Sequence, residues 1–131
     1  MRGKWKLCAV QRPTMDTMAK PRELLADERL FGKHPSPAFR ANLPLDVPEV
    51  WAETAAAKIH NRFAYDVITE LRHTDRTLVW LSGETGLSEK HLSQILRGHQ
   101  VLSVAHITRI VRALGQVELW PAPGRLDDLA P

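Results

Sequence analysis

The chain has 131 residues, a length typical of one compact domain with tails, since domains of about 100 to 150 residues are the commonest. It carries 18 Lys and Arg against 15 Asp and Glu, and 44% of its residues are hydrophobic. No apolar run approaches the roughly 20 residues of a membrane span, and the single cysteine, Cys8, permits neither an internal disulfide nor a Cys-based zinc site. These features argue against a multidomain enzyme and a membrane protein. The basic N-terminus lacks the apolar stretch of a secretory signal, so we expect a cytoplasmic protein.

The distribution of prolines predicts three regions. Six of the nine prolines lie before residue 50, and none lies between residues 49 and 120, where apolar residues recur at helical spacing. The pattern predicts a basic, proline-rich arm over residues 1–47, a folded domain over 48–116, and a short strand with a C-terminal tail over 117–131.

The predicted arm is largely irregular. Its first 20 residues hold five basic residues and one acidic residue, a local net charge of +4, which suits a flexible segment that contacts phosphates or simply a solubilising tail. Residues 21–31, PRELLADERLF, are compatible with a short helix. Its expected apolar contacts are Leu24, Leu25, Leu30 and Phe31.

Helical periodicity begins at about Pro48, an acceptable first residue of a helix, and continues to about Arg72. The core-facing residues of this first helix step by four: Ile59, Phe63, Val67 and Leu71, with Ala64 and Ile68 beside them. Apolar spacing thus predicts a helix that packs along one face.

Two short helices follow. Thr77 can cap the first, which ends at Gly86, where a glycine suits the positive φ of a sharp reversal. Ser88 can cap the second, whose inner face holds Leu92, Ile95 and Leu96. Its outer face is polar: Glu89, Lys90, Ser93, Gln94 and Arg97.

A last helix is predicted from a cap at Ser103 to Gly115. Its expected buried residues are Val104, Ile107, Ile110, Val111 and Leu114. The following QVELW alternates in polarity, as a short strand does. The expected class is therefore all-α, a bundle of four to five helices with a short C-terminal strand.

Residues 61–115 resemble the Cro/CI-type family, also called XRE or lambda-repressor-like. The matching segments are LSGETGLS, LSQILRG and ITRIVRALG, and the region of resemblance covers a little under half of the chain. Ser82, Gly86, Leu92 and Ile95 stand at the spacing typical of a helix-turn-helix. The resemblance implies a helix-turn-helix fold whose second helix, residues 88–97, enters the major groove of double-stranded DNA.

The resemblance also implies which residues contact DNA. The implied base contacts are Ser88, Glu89, Lys90, Ser93, Gln94 and Arg97. Gln94 suits bidentate pairing with adenine, Lys90 suits guanine and Glu89 suits cytosine. Expected phosphate contacts are Arg62, Arg76, Thr77 and His99, the last of which would bind better when protonated. An ordinary solvated helix face is the alternative interpretation.

No catalytic or metal constellation is recognisable in the sequence. Five histidines lie in the predicted domain without a compact cluster of carboxylates, and no Walker-type loop or arrangement of nucleophile, base and orienting residue is visible. We therefore expect no enzymatic activity, no metal and no cofactor.

Two functions are compatible with these features. The first is a sequence-specific transcriptional regulator, in particular a small repressor of the kind phages use. We expect it to act as a homodimer joined through the predicted strand, by Val117, Leu119 and Trp120. The second is an antitoxin or adaptor that binds a protein partner through the proline-rich stretch FGKHPSPAFRANLPLDVP.

Overall fold

Four α-helices follow one another in residues 20–115, the part of the chain that the structure, a computed structural model, describes. They are α1 (Pro48–His73), α2 (Leu78–Thr85), α3 (Glu89–Leu96) and α4 (Val104–Leu114), preceded by short 3₁₀ helices at Pro21–Leu24 and Glu28–Leu30. Residues 20–115 contain no strand, so the all-α class is confirmed for this part. The predicted strand over 117–131 lies outside the described residues, as does the basic stretch over 1–19.

Local sequence signals set the ends of the helices. Three side-chain oxygens each accept a hydrogen bond from the backbone N–H three residues further on: those of Thr77, Ser88 and Ser103. Each satisfies one of the backbone donors that a helix N-terminus leaves free. Gly86 and Gly115 end α2 and α4 with φ of +79° and +72°, which side-chain-bearing residues rarely adopt. The predicted caps and ends of these helices are confirmed.

The core forms where the apolar faces of the four helices meet. Its buried residues are Leu25, Phe31, Phe63, Ala64, Val67, Leu71, Leu81, Leu92, Leu96, Ile107, Ile110 and Leu114. Two residues expected in apolar contacts are exposed: Val104 (70%), because the first turn of α4 is uncovered, and Leu30 (37%). Ile59 and Ile68 are half-buried at the margin of the α1 stripe.

Residues 20–47, called here the N-terminal segment, supply part of this core. The single short helix expected over 21–31 is replaced by the two 3₁₀ helices, because Leu25 between them is extended and forms an isolated antiparallel bridge with Phe39. Ala26 N–H donates to Ala38 O at 3.0 Å beside this bridge. Leu25 and Phe31 are buried, so core packing extends beyond the domain predicted over 48–116.

A buried amide joins the N-terminal segment to α1. Asn61 Oδ1 accepts from the backbone N–H of Gly32 at 2.7 Å, and Asn61 Nδ2 donates to His34 O at 3.0 Å. Gly32 has φ +76°, and a Cβ added there would lie 2.6 Å from Leu96 O at the end of α3. The N-terminal segment is thus held between α1 and the C-terminal end of α3.

We expect Phe31→Ala to reduce the free energy of unfolding by about 3–5 kcal/mol, because it leaves a cavity in the core where the ring is 3% exposed. The neighbouring Leu30→Ala is the control and costs less than about 1 kcal/mol, since Leu30 is exposed. Urea unfolding of both variants checks this, and equal effects would contradict the packing of the N-terminal segment.

Candidate nucleic-acid interface

The turn between α2 and α3 is fixed by hydrogen bonds from three directions. Ser82 Oγ donates to Leu87 O at 2.6 Å, and Leu87 N–H donates to Thr85 Oγ1 at 3.2 Å. Arg109 of α4 donates through Nη1 to Thr85 O at 3.4 Å. Together with the left-handed backbone at Gly86, these bonds set the orientation of α3 relative to α2.

The two faces of α3 differ in burial and in chemistry. Leu92 and Ile95 are fully buried and Leu96 is nearly so. The six predicted base-contact residues lie away from the core: Ser88, Glu89, Lys90 and Arg97 are exposed, and Ser93 and Gln94 are half-buried. The outer face therefore offers cationic and amide donors, a carboxylate acceptor and hydroxyls, all on one short helix.

His60 anchors α3 from the side of α1. Its Nε2–H donates to Ile95 O at 2.6 Å, and its ring meets the Phe31 ring edge to face at 4.9 Å. Burial lowers the pKa of His60 to about 4, so the imidazole is neutral at physiological pH. This single side chain contacts α3 and the N-terminal segment together.

We expect stability to fall as the pH drops from about 6.5 to about 4, because the unfolded chain binds a proton at His60 that the folded chain does not. The stabilisation from neutral His60 is fully present above about pH 6.5. By about pH 4 the free energy of unfolding should have fallen by about 3 kcal/mol. His60→Gln keeps an N–H donor without a titrating group, so urea unfolding across this range should show a flatter pH dependence. The exposed His73→Gln serves as the control, and an equal flattening there would contradict the role of His60.

The chain reverses immediately after α3 at Gly98, which has φ +78°. A Cβ added at Gly98 would lie 2.8 Å from atoms of the Phe31 ring, so only glycine fits without displacement. Arg22 N–H donates to Gly98 O at 3.2 Å, and Arg22 Nη1 donates to Arg97 O at 3.4 Å. The N-terminal segment therefore caps the C-terminal end of α3.

Arg22 also holds His99, one of the predicted phosphate contacts. Arg22 Nη1 donates to His99 Nε2 at 2.7 Å, and Glu28 lies 3.5 Å from Arg22 Nε. Because a guanidinium only donates, the ring nitrogen accepts and must be unprotonated. Burial, followed by the charges of Arg22, Lys20 and Arg97, lowers the pKa of His99. This geometry disfavours the protonated phosphate-binding form of His99.

The other predicted phosphate contacts occupy two regions. Arg76 and Thr77 lie together before α2, where the Arg76 guanidinium is 4.1 Å from the Trp80 ring centroid and Thr77 caps the helix. Arg62 lies within α1 and pairs with Asp66 at 3.2 Å. The structure thus gives Arg62 a carboxylate partner, while Arg76 and Thr77 stand at the start of the two-helix unit.

Several residues that set the position of the outer face of α3 were not predicted from the sequence. Arg22, His60 and Asn61 have no local signal in the sequence, because each contacts residues far along the chain. Gln100 was also missed: its Nε2 donates to Gln94 Oε1 at 2.8 Å. One acceptor position of Gln94 is therefore already filled.

Histidines also link α3 to α4. The rings of His91 and His106 meet edge to face at 4.9 Å, and burial, with His91 and Arg109 nearby, lowers the pKa of His106. Within residues 20–115 no three histidine, cysteine or acidic side chains gather as a metal site would require. Over the same range, no helix has the length and apolarity needed to cross a membrane.

Comparisons with protein-family models, with curated proteins and with solved structures find no match to this chain. The lambda-repressor-like resemblance therefore depends on the residues and spacings quoted above.

Proposed function

We propose that the protein is a sequence-specific regulator of transcription that binds double-stranded DNA, most simply as a small repressor. In this proposal α2 and α3 form a helix-turn-helix, and the helix over residues 88–97 enters the major groove. The observation that carries the proposal is the outer face of α3: it is polar and lies away from the core, while the inner face and both ends of α3 are held by the rest of the fold.

The chemistry of this face suits the edges of base pairs. Lys90 and Arg97 donate to acceptors such as those of guanine, Glu89 accepts from cytosine, and Ser88 and Ser93 reach bases or phosphates. Phosphates of the flanking backbone are contacted by residues at the start of α2, where Arg76 and Thr77 lie side by side. The proposed role requires no catalysis and no cofactor.

The packing of the N-terminal segment favours this function over a protein-binding adaptor. All residues of the proline-rich stretch expected to wrap a partner lie within the described part of the chain, and three of its apolar side chains pack against this chain instead. Phe31 and Pro37 are buried, and Phe39 packs against the core with Lys58 Nζ 5.7 Å from its ring centroid. These residues are therefore not available to a partner without unpacking the fold.

We expect a selection from random-sequence duplexes to recover a DNA motif with the full chain. The Lys90→Ala, Gln94→Ala double variant should lose that motif, because it removes two side chains predicted to read base edges, each worth roughly a tenfold preference or more. The matched control, Lys33→Ala with Asn42→Ala, removes the same number of basic and amide groups from exposed positions of the N-terminal segment and should retain the motif.

The salt concentration must be identical in all arms, since phosphate contacts make affinity depend strongly on salt. Binding without a motif would replace the proposal with a non-specific DNA binder. An absence of binding by a folded protein would favour the antitoxin or adaptor alternative.

We further propose a homodimer, because one helix-turn-helix reads few base pairs and two copies read half-sites about 34–36 Å apart. The predicted interface residues Val117, Leu119 and Trp120 lie outside the described residues. Truncation after Gln116 should convert the dimer to a monomer and leave one half-site in the recovered motif. Light scattering measures the mass, and a truncated chain that stayed dimeric would exclude this interface.

A further inference from the structure

The chain folds back over α3 immediately after it leaves the helix. Gln94 O accepts from His99 N–H at 2.8 Å and from Gln100 N–H at 3.3 Å. The reversal at Gly98 makes these bonds possible, because its φ of +78° redirects the backbone toward the preceding turn. Gln100 is thereby brought beside a residue of the outer face of α3.

The two side-chain amides meet in a defined orientation. Gln100 Nε2 donates to Gln94 Oε1 at 2.8 Å, although the residues are six positions apart in sequence. An amide oxygen has two acceptor positions, and this bond fills one of them. In this orientation the Oε1 end of the Gln94 amide faces Gln100, which leaves the two N–H donors of Gln94 Nε2 for another partner.

This arrangement changes what Gln94 offers to DNA. A free glutamine turns either end of its amide toward a base edge, and so accepts or donates with little preference. Held by Gln100, Gln94 presents its Nε2 donors, which match acceptors such as purine N7 in the major groove. Ordering the side chain before binding also reduces the conformational entropy lost on contact.

We infer that Gln100, which follows the recognition helix, is a positioning residue that sets the base preference of Gln94. The inference rests on the proposed DNA-binding function and adds to it a residue and a direction of readout. The N-terminal segment takes part indirectly: the Phe31 ring packs on Gly98, and Arg22 binds Gly98 O, so the segment holds the reversal that places Gln100.

The test compares duplex selections for the wild-type chain, Gln94→Ala, Gln100→Ala and Gln100→Glu at one salt concentration. Asn42→Ala is the control, because it removes an exposed amide from the N-terminal segment. Gln94→Ala and Gln100→Ala should relax the same base position, each reducing discrimination there roughly tenfold. Thermal unfolding establishes that each variant is folded. If a substitution only disturbed the fold, it would weaken binding to all duplexes alike and leave the base preference unchanged.

Gln100→Glu gives the sharper result. A carboxylate only accepts, so it draws Gln94 Nε2 toward itself and turns Gln94 Oε1 outward. The preference at that position should then move away from guanine, whose major-groove edge presents acceptors, and toward bases that present a donor there, adenine N6 or cytosine N4. The added negative charge weakens binding to every duplex, and this uniform loss is separable from a change of preference.

The outcomes separate the two proposals. A wild-type motif that Gln100→Ala leaves unchanged, or relaxes only at a position different from that of Gln94→Ala, overturns the role of Gln100 and leaves DNA binding standing. A wild-type chain that selects no motif overturns both. Relaxation at the shared position, with the altered preference of Gln100→Glu, supports the inference.

Discussion

The packing of the Phe31 ring on Gly98 is the contact on which the position of α3 depends. Gly98 adopts a positive φ and has no room for a Cβ, because the Phe31 ring lies against it. The reversal after α3 and the packing of the ring therefore both depend on a glycine at this position. His60 completes the arrangement, because it meets the same ring and donates to Ile95 O within α3. The candidate DNA-contacting helix is therefore held at its C-terminal end by a segment from the opposite end of the described chain.

Local signals in the sequence were sufficient for the helices. The caps at Thr77 and Ser88 and the glycine at 86 act within a few residues, so their effect can be read from spacing alone. The N-terminal segment was predicted as largely irregular because its prolines interrupt periodicity and its partners are distant. Leu25 bridges Phe39 across a loop, and no spacing rule indicates such a pair.

In the candidate site, too, local sequence signals were predictive and contacts between distant residues were not. Periodicity placed the polar residues of α3 on the face opposite Leu92 and Ile95, and the structure shows those two residues buried. The side-chain partners were not predictable, since they depend on tertiary contacts and on a turn of unknown geometry. The partner of His99 Nε2, for example, is Arg22, which lies 77 residues away in the chain.

This long separation also bears on synthesis. Arg22 contacts residues 75 and 77 positions later, so its partners do not yet exist when it leaves the ribosome. The Phe31 ring lacks its contact with Gly98 until α3 and the reversal after it have been made, and exposed apolar side chains favour aggregation during that interval. The contacts between the N-terminal segment and the residues after α3 close a loop that spans most of the described chain. Their formation is therefore a late and entropically costly step. The fold is accordingly complete only when Gly98 becomes available to the Phe31 ring.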